Sequence, residues 1–558
     1  MELQPIFDIA EICHQKDIRQ AIISPGSRNA PLTIAFARHP EINCYSIPDE
    51  RSAAFIGLGM SLKSKEPTVL ICTSGSAALN YAPAVAEAFF SSVPLLILTA
   101  DRPPEWLGQL DGQTIYQENV YGKHVKKSFS FPDTPHEANT WHGHRIINEA
   151  INITNEFPKG PVHVNLPFRE PFYPTRDISI SYSKNIKIIS SQVVKSNYLN
   201  DFSDLKSFKK IVVIAGQQAR DQTLTFLLSE VSQQLQIPVI CDVISNHESV
   251  KDGIDKQDIF LKDKTIHNDL KPDLIITYGL SVISKNLKLF LRANKPEAHW
   301  HIQEEGSIAA DTFQCLTQVI NTSPLSYFKA FVKTISTLNQ NEPGFYQNWQ
   351  NINTKCLAVL HKSLAKQTIF NEFKAYQQVL KTIPDSSDLH MANSMAVRYV
   401  NFIGISTTDA EVFCNRGTSG IDGSNSTAVG FASQSERLSV LLTGDMAFLY
   451  DRNAFWHNHL TKNIKIVVFN NHGGGIFRMI EGPRNQPEID TYFETDQRST
   501  SAPVANEFGF EYFQANSYES LDTGLSHLFA NENTPAILEI FTDSKINQKV
   551  YSEVLKSI

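Results

Sequence analysis

The chain has 558 residues, of which 58 are acidic and 50 basic, for a formal net charge of −8. At roughly 150 residues per domain this length suggests three or four domains, and a 42% hydrophobic content excludes wholesale disorder. The acidic balance, with no basic run, argues against general nucleic-acid binding, although a few pocket arginines suffice to hold an anionic ligand.

The opening MELQPIFDIAEICHQ places acids where a secretion signal carries lysines, and its apolar residues recur at helical spacing. No window approaches the roughly eighteen apolar residues of a membrane span, so no membrane insertion is expected. Seven scattered cysteines without a CxxC pair fit a reducing compartment better than disulfides or zinc. His142 and His144 in WHGH read as structural. Together these features predict a cytoplasmic protein.

In chain order, buried strands are predicted at 21–24, 43–47, 68–72, 94–99 and 161–165, with helices at 31–39, 50–63 and 76–91 between them. Such alternation makes a parallel sheet with helices on both faces. A polar linker over 176–201 follows. A second α/β pattern then runs through KIVVIAG, PVICDV, DLIITYG and HWHIQ. The turn after KIVVIAG lacks GxGxxG spacing and reads as structural. A polar helical connector over 340–384 leads to a third pattern in EVFCNRG, SVLLTGD, IKIVVFNN and AILEIFT. The fold class is therefore α/β, with three doubly wound parallel-sheet domains over 1–178, 200–340 and 360–558.

The strongest chemical signal lies between LLTGDMAF and VVFNNHGGGIF. Gly444 and Asp445 end one predicted strand and Asn471 ends the next, at the sheet edge where α/β proteins bind ligands. An Asp carboxylate, an Asn oxygen and a loop carbonyl make a hard oxygen site suited to Mg²⁺, and Gly473 to Gly475 let the backbone approach a diphosphate. The same residues would serve equally as a strand-end turn and a flexible loop. In IPDERSAAFIGLGM, Glu50 starts a helix among small apolar residues. It reads either as an acid stabilised by the helix dipole or as a carboxyl whose pKa burial raises for proton exchange, and Asp49 competes for the role. Gly/Ser-rich turns in SPGSRNAPL, TSGSAALN, LTADRPPE, NSMAVR and NRGTSGIDG carry Arg28, Arg102, Arg398 and Arg416. Arginines so placed suit substrates with several carboxylates, and each taken alone would also fit a surface ion pair.

The pair GD…NN resembles the metal–diphosphate motif of thiamine-diphosphate enzymes, with Met446 where the general motif has glycine. The ordered set SPGSR, DERSAAFIGLG, TSGSAALN, ADRPPE, GPVHVNLPFREP, NRGTSGIDG and GDM…NNHGGGIF resembles the 2-succinyl-5-enolpyruvyl-6-hydroxy-3-cyclohexene-1-carboxylate synthase family of menaquinone biosynthesis. That resemblance spans the first and third domains nearly throughout and accommodates Met446. The central domain matches mainly in length and pattern.

The resemblance implies a pyrimidine-binding domain, a central domain without cofactor, and a diphosphate-binding domain. It also implies a homodimer or homotetramer with active sites between subunits. Glu50 is implied as the acid that activates the pyrimidine. Asp445, Asn471 and the Gly473 carbonyl are implied as ligands of Mg²⁺ or Mn²⁺, with Gly444 and Met446 beside them. Ile421 is implied beneath the bent thiamine diphosphate, and Ile476 and Phe477 near its thiazolium ring. The implied reaction decarboxylates 2-oxoglutarate and adds the succinyl unit to isochorismate in a 1,4 sense. Ser394, Arg398 and Arg416, with Asn393 beside them, would hold 2-oxoglutarate; Ser27, Arg28, Arg102 and Gln113 would serve isochorismate. In SKNLKLFLR, Lys285 is followed by Asn286 where relatives commonly carry a second basic residue, so Lys285 stands equally as a substrate contact or a surface lysine. Another thiamine-diphosphate 2-oxo-acid lyase, such as an acetolactate-synthase-like enzyme, is the nearest rival. A non-catalytic binding protein on the same scaffold is a more distant one.

Overall fold

The structure, a computed structural model, describes residues 3–134, 136–170, 172–173, 180–190, 202–308, 310–335, 342–405, 409–531 and 533–558. The domain limits expected at 178, 200 and 340 and both ends of the expected linker lie outside the described residues, and residue 360 lies within the helix Phe345–Ala365.

Three all-parallel sheets follow one another along the chain. The first comprises β1 (Gln20–Ile23), β2 (Asn43–Ser46), β3 (Thr68–Cys72), β4 (Leu95–Asp101), β5 (Ser128–Ser130) and β6 (Val162–Pro167), in the order β2-β1-β3-β4-β6-β5. The second comprises β7 (Ile211–Ala215), β8 (Val239–Cys241), β9 (Leu274–Tyr278), β10 (Ala298–Gln303) and β11 (Gln318–Asn321), in the order β11-β10-β9-β7-β8. The third comprises β12 (Asp388–Met391), β13 (Glu411–Phe413), β14 (Ser439–Gly444), β15 (Ile464–Asn470), β16 (Glu511–Ala515) and β17 (Ala536–Phe541), in the order β13-β12-β14-β15-β17-β16. The three doubly wound sheets expected from the alternating pattern are thus present, and the first and third share one strand order. The helix expected over 76–91 is two helices, Ser76–Asn80 and Ala82–Phe90, separated at Tyr81 just before Pro83, where the missing proline N–H interrupts the ladder.

Neighbouring residues of one strand feed opposite cores, as the period of two demands. In the first sheet Ile22, Leu70 and Ile97 face one core while Ala21, Val69 and Leu96 face the other. The second of these is closed by the helices Gln4–Gln15, Ala30–Ala37 and Glu137–Asn155. The described part of the expected linker also packs there through Ile186 and Ile188, with the Ser183 N–H donating to Asp8 Oδ1 at 3.0 Å. The other core is shared with the third sheet, through Leu441, Ile466, Val468 and Ile537.

The helix Glu50–Ser64 lies in that shared core and is buried from Ser52 to Ser61, which explains why its sequence is apolar on every side rather than striped. It crosses the helix Ser424–Ala432 at Gly59 and Gly430. A Cβ at Gly59 would sit 2.1 Å from the Thr427 carbonyl oxygen, and one at Gly430 would sit 1.9 Å from that of Ile56. Only glycine permits this backbone approach. The crossing fixes the start of the Glu50 helix against the third domain. Among the described residues no helix is long and apolar enough to cross a membrane.

Candidate active site

The helix Glu50–Ser64 begins directly after β2, and its two leading carboxylates divide their tasks. Asp49 caps the helix, accepting the Ser52 N–H at 3.1 Å through Oδ1, and accepts Asn453 Nδ2 at 2.7 Å through Oδ2. It is committed to structure, joining the first domain to the third. The Glu50 side chain forms no hydrogen bond or ion pair to another side chain among the described residues. It is half-buried beside Cys72 and Tyr81, and burial together with Asp49 pushes its pKa up.

At the carboxyl edge of the third sheet, Asp445 follows β14 and Asn471 follows β15, on neighbouring strands. Asp445 is 2% exposed and opens the helix Asp445–Tyr450. Its Oδ2 accepts Gln497 Nε2 at 2.6 Å, and the backbone N–H groups of Met446 and Gly473 also reach it. Burial nevertheless pushes its pKa up to about 7. Asn471 donates Nδ2 to Glu372 Oε1 at 2.7 Å, while its Oδ1 is buried without a partner. Glu372 is itself buried and pushed up to about 7, first by burial and further by Asp445. The buried Asp445 carboxylate and the orphaned Asn471 oxygen, with no cationic side chain paired to them among the described residues, suit a hard divalent cation, and Glu372 lies behind the amide.

The loop after Asn471 is drawn tight. The Gly474 N–H donates to the Glu494 carbonyl at 2.6 Å, and a Cβ on Gly473 would sit 2.6 Å from that oxygen. The Gly473 carbonyl accepts the Gly475 N–H at 3.0 Å. Ile476 and Phe477 follow in the short helix Ile476–Met479, half-buried, with the Phe477 ring 5.8 Å from that of Phe493. Gly444 and Met446 flank Asp445, also half-buried. Ile421 packs at the margin of the core shared by the central and third domains.

The arginines form two pairs. In the third domain burial, then Arg416, lowers the pKa of Arg398, whose Nη1 donates to the Ser394 carbonyl. Arg416 donates Nη1 to Asn393 Oδ1 at 2.9 Å and keeps a buried, unpartnered Nε. Asn393 also donates to the carbonyls of Asn415 and Gly420, both at 2.7 Å, so its amide ties its own loop to the one that carries Arg416. In the first domain burial, then Arg102, lowers the pKa of Arg28. Arg28 donates to the Phe168 carbonyl at 2.9 Å and stacks on Phe172. Arg102 pairs with Asp111 at 3.1 Å and, like Arg416, leaves a buried Nε unpartnered. Arg28, Arg398 and Arg416 form no ion pair among the described residues. Ser27 and Gln113 are exposed at the same edge, Gln113 lying against the Gly75 turn.

Several residues at these sites carry no sequence motif. Glu372 starts a helix 99 residues before its partner Asn471. Glu87, on the helix Ala82–Phe90, accepts the N–H groups of Gly417 at 2.8 Å and Thr418 at 2.6 Å, clamping the Arg416 loop to the first domain. Gln117 holds the Gly75 turn by accepting its N–H at 2.7 Å. In the helix Lys285–Ala293, Lys285 is exposed, whereas Lys288, one turn on, is half-buried, and burial and then Arg416 lower its pKa.

Three domain families match the chain. They are the thiamine pyrophosphate enzyme N-terminal TPP binding domain over residues 7–124, the middle domain of thiamine pyrophosphate enzymes over 184–391, and the C-terminal TPP binding domain over 398–540. Full-length relatives carry one name, 2-succinyl-5-enolpyruvyl-6-hydroxy-3-cyclohexene-1-carboxylate synthase. The protein of Cytophaga hutchinsonii is 44% identical over 100% of this chain and 99% of its own length. That of Flavobacterium psychrophilum is 39% identical over 99% and 98%, and that of Porphyromonas gingivalis 37% identical over 96% and 93%. With similarity of this extent across all three sheets, the chain belongs to the 2-succinyl-5-enolpyruvyl-6-hydroxy-3-cyclohexene-1-carboxylate synthase family of thiamine-diphosphate enzymes.

Proposed function

We propose that the chain catalyses the decarboxylation of 2-oxoglutarate and the 1,4-addition of its succinyl unit to isochorismate. The products are 2-succinyl-5-enolpyruvyl-6-hydroxy-3-cyclohexene-1-carboxylate and CO₂, a step of menaquinone biosynthesis. Beyond the family, the observation that carries this reading is the pairing of arginines. Each outer domain sets two guanidinium groups near enough to repel each other, and three of the four form no ion pair among the described residues. Such groups are costly to hold together unless an anionic ligand joins them.

When bound, thiamine diphosphate supplies the electron sink for loss of CO₂ and for carbon–carbon bond formation. Glu50, raised by its half-buried setting, exchanges a proton with N1′ of the cofactor's pyrimidine. Asp445, Asn471 and the Gly473 carbonyl would hold Mg²⁺ or Mn²⁺, with Gly444 and Met446 beside Asp445. Ile421 would support the bent cofactor from beneath, and Ile476 and Phe477 would line the pocket near its thiazolium ring. Ser394, Arg398 and Arg416 receive the carboxylate of 2-oxoglutarate, with Asn393 holding Arg416 in place. Ser27, Arg28, Arg102 and Gln113 receive isochorismate, with Lys288 a better placed central-domain contact than Lys285. Regions 1–178, 200–340 and 360–558 act as pyrimidine-binding, central and diphosphate-binding domains. The working form is a homodimer or homotetramer in which the first domain of one subunit meets the third domain of another.

The test is CO₂ release from 2-oxoglutarate by the purified protein with thiamine diphosphate and Mg²⁺. Release that rises on adding isochorismate, matched by formation of the named product, is expected. Equal turnover of pyruvate, indifferent to isochorismate, would instead identify another 2-oxo-acid lyase.

A further inference from the structure

We infer that Glu372 is a positioning residue that fixes which way the Asn471 amide faces, so that its oxygen rather than its nitrogen is offered to the cation. The inference rests on the reading of Asn471 as a cation ligand. A primary amide has two orientations that occupy nearly the same volume, and only one presents an oxygen. An ionised carboxylate, the form that a neighbouring cation favours, accepts hydrogen bonds and donates none. With Glu372 Oε1 only 2.7 Å from Asn471 Nδ2, the reverse orientation would bring two oxygens into that contact.

Glu372 is held for this task. It is 2% exposed, its N–H donates to Asn547 Oδ1 at 2.9 Å, and Thr542 Oγ1 approaches the same Oε1 at 3.3 Å. Asn547 Nδ2 in turn donates to Thr542 Oγ1 at 2.9 Å. Because Glu372 makes no ion pair among the described residues, its one strong side-chain contact is the Asn471 amide. The outcome is visible at the other end of that amide, where Oδ1 is buried and lacks any hydrogen-bond donor. A buried acceptor left open is costly, and a bound cation is the partner that completes it. Groups that orient a metal ligand from behind typically change metal affinity about 10–100-fold when removed.

The experiment is Mn²⁺ titration of the full-length protein with thiamine diphosphate present, reading free Mn²⁺ by electron paramagnetic resonance, with thermal melting as the control for folding. Glu372→Ala is expected to weaken Mn²⁺ binding about 10–100-fold. Glu372→Gln, which keeps an acceptor oxygen but adds a competing donor, is expected to fall between it and the parent, and carries the test if the alanine variant does not fold. Combining Glu372→Ala with Asn471→Ala is expected to weaken binding no further than Asn471→Ala alone, as one coupled unit requires. Unchanged affinity in the Glu372 variants, or losses that simply add to those of Asn471→Ala, would overturn the positioning role. Unchanged affinity in Asn471→Ala itself would instead remove the cation site on which the inference stands.

Discussion

The first and third domains are built on one plan and put it to different chemical use. Their sheets share a strand order, with β1 and β12 in corresponding places, then β3 and β14, and β4 and β15. At the ends of β14 and β15 the third domain places Asp445 and Asn471, and at the corresponding ends of β3 and β4 the first domain places the Gly75 turn and Arg102. The first domain sets Glu50, the proposed proton-exchanging acid, after β2, where the third domain after β13 sets Arg416. Both domains keep two neighbouring arginines. A shared backbone plan thus fixes where chemistry can sit, and the side chains at strand ends decide which chemistry it is.

This contrast is sharpest at Glu50, where the largest effect is expected. Glu50→Gln should fold and bind cofactor yet lose about 10²–10⁴-fold in turnover, the range of a positioned acid–base group. Steady-state rates beside cofactor titration would show it, and a near-parental rate would break the assignment of acid chemistry to the first domain. Next come the arginine pairs. Arg398→Ala should raise the 2-oxoglutarate requirement about 10–100-fold, as for a lost charged hydrogen bond, with little change in cofactor affinity. Arg28→Ala should act likewise on isochorismate. If each variant affects both substrates equally, the division of substrates between the two domains is wrong.

The smallest effect concerns a feature the two sheets share. His163 on β6 and His390 on β12 are both buried, and burial lowers each pKa to about 3. The folded state therefore holds them neutral, while the unfolded chain protonates them below about pH 6.5. Their contribution is fully present above that pH and is lost as pH falls toward about 3, at up to ~1.4 kcal/mol per pH unit for each group. In urea unfolding the two histidines should pull stability down between pH 7 and pH 5, a slope opposed by Asp445 and Glu372, whose raised pKa values favour the folded state as they protonate. His163→Gln and His390→Gln should each flatten part of that slope.

The fold was legible where strands are continuous apolar runs bounded by turns, as in LLILTAD or IKIVVFN, because both faces of those strands are buried. The edge strands β5, β11 and β16 are short and half-exposed, with no pattern of their own apart from the neighbour they pair with. β12 is illegible for the opposite reason. Its sequence DLHM looks polar, yet Asp388 and His390 are buried, Asp388 beside Lys63 and Arg437 and His390 between aromatic rings. At the site, Asp445 and Asn471 were readable because strand ends place them. The choice between Asp49 and Glu50 was not, since both are acids at one helix start and only the capping bond to Ser52 separates them. Glu372 and Glu87 reach their partners across domains or through long sequence separations, which no local spacing records.

The central claim is that an active site needs Glu50 from one subunit and the Asp445–Asn471 cation site from another. Mixing Glu50→Gln subunits with Asn471→Ala subunits, after dissociation and reassembly, tests it directly. If sites lie between subunits, each mixed dimer holds one intact site and the mixture should recover about a quarter of parental activity from two nearly inactive parents. If each chain builds its own site, every site in the mixture carries a defect, and the absence of recovered activity would contradict the account.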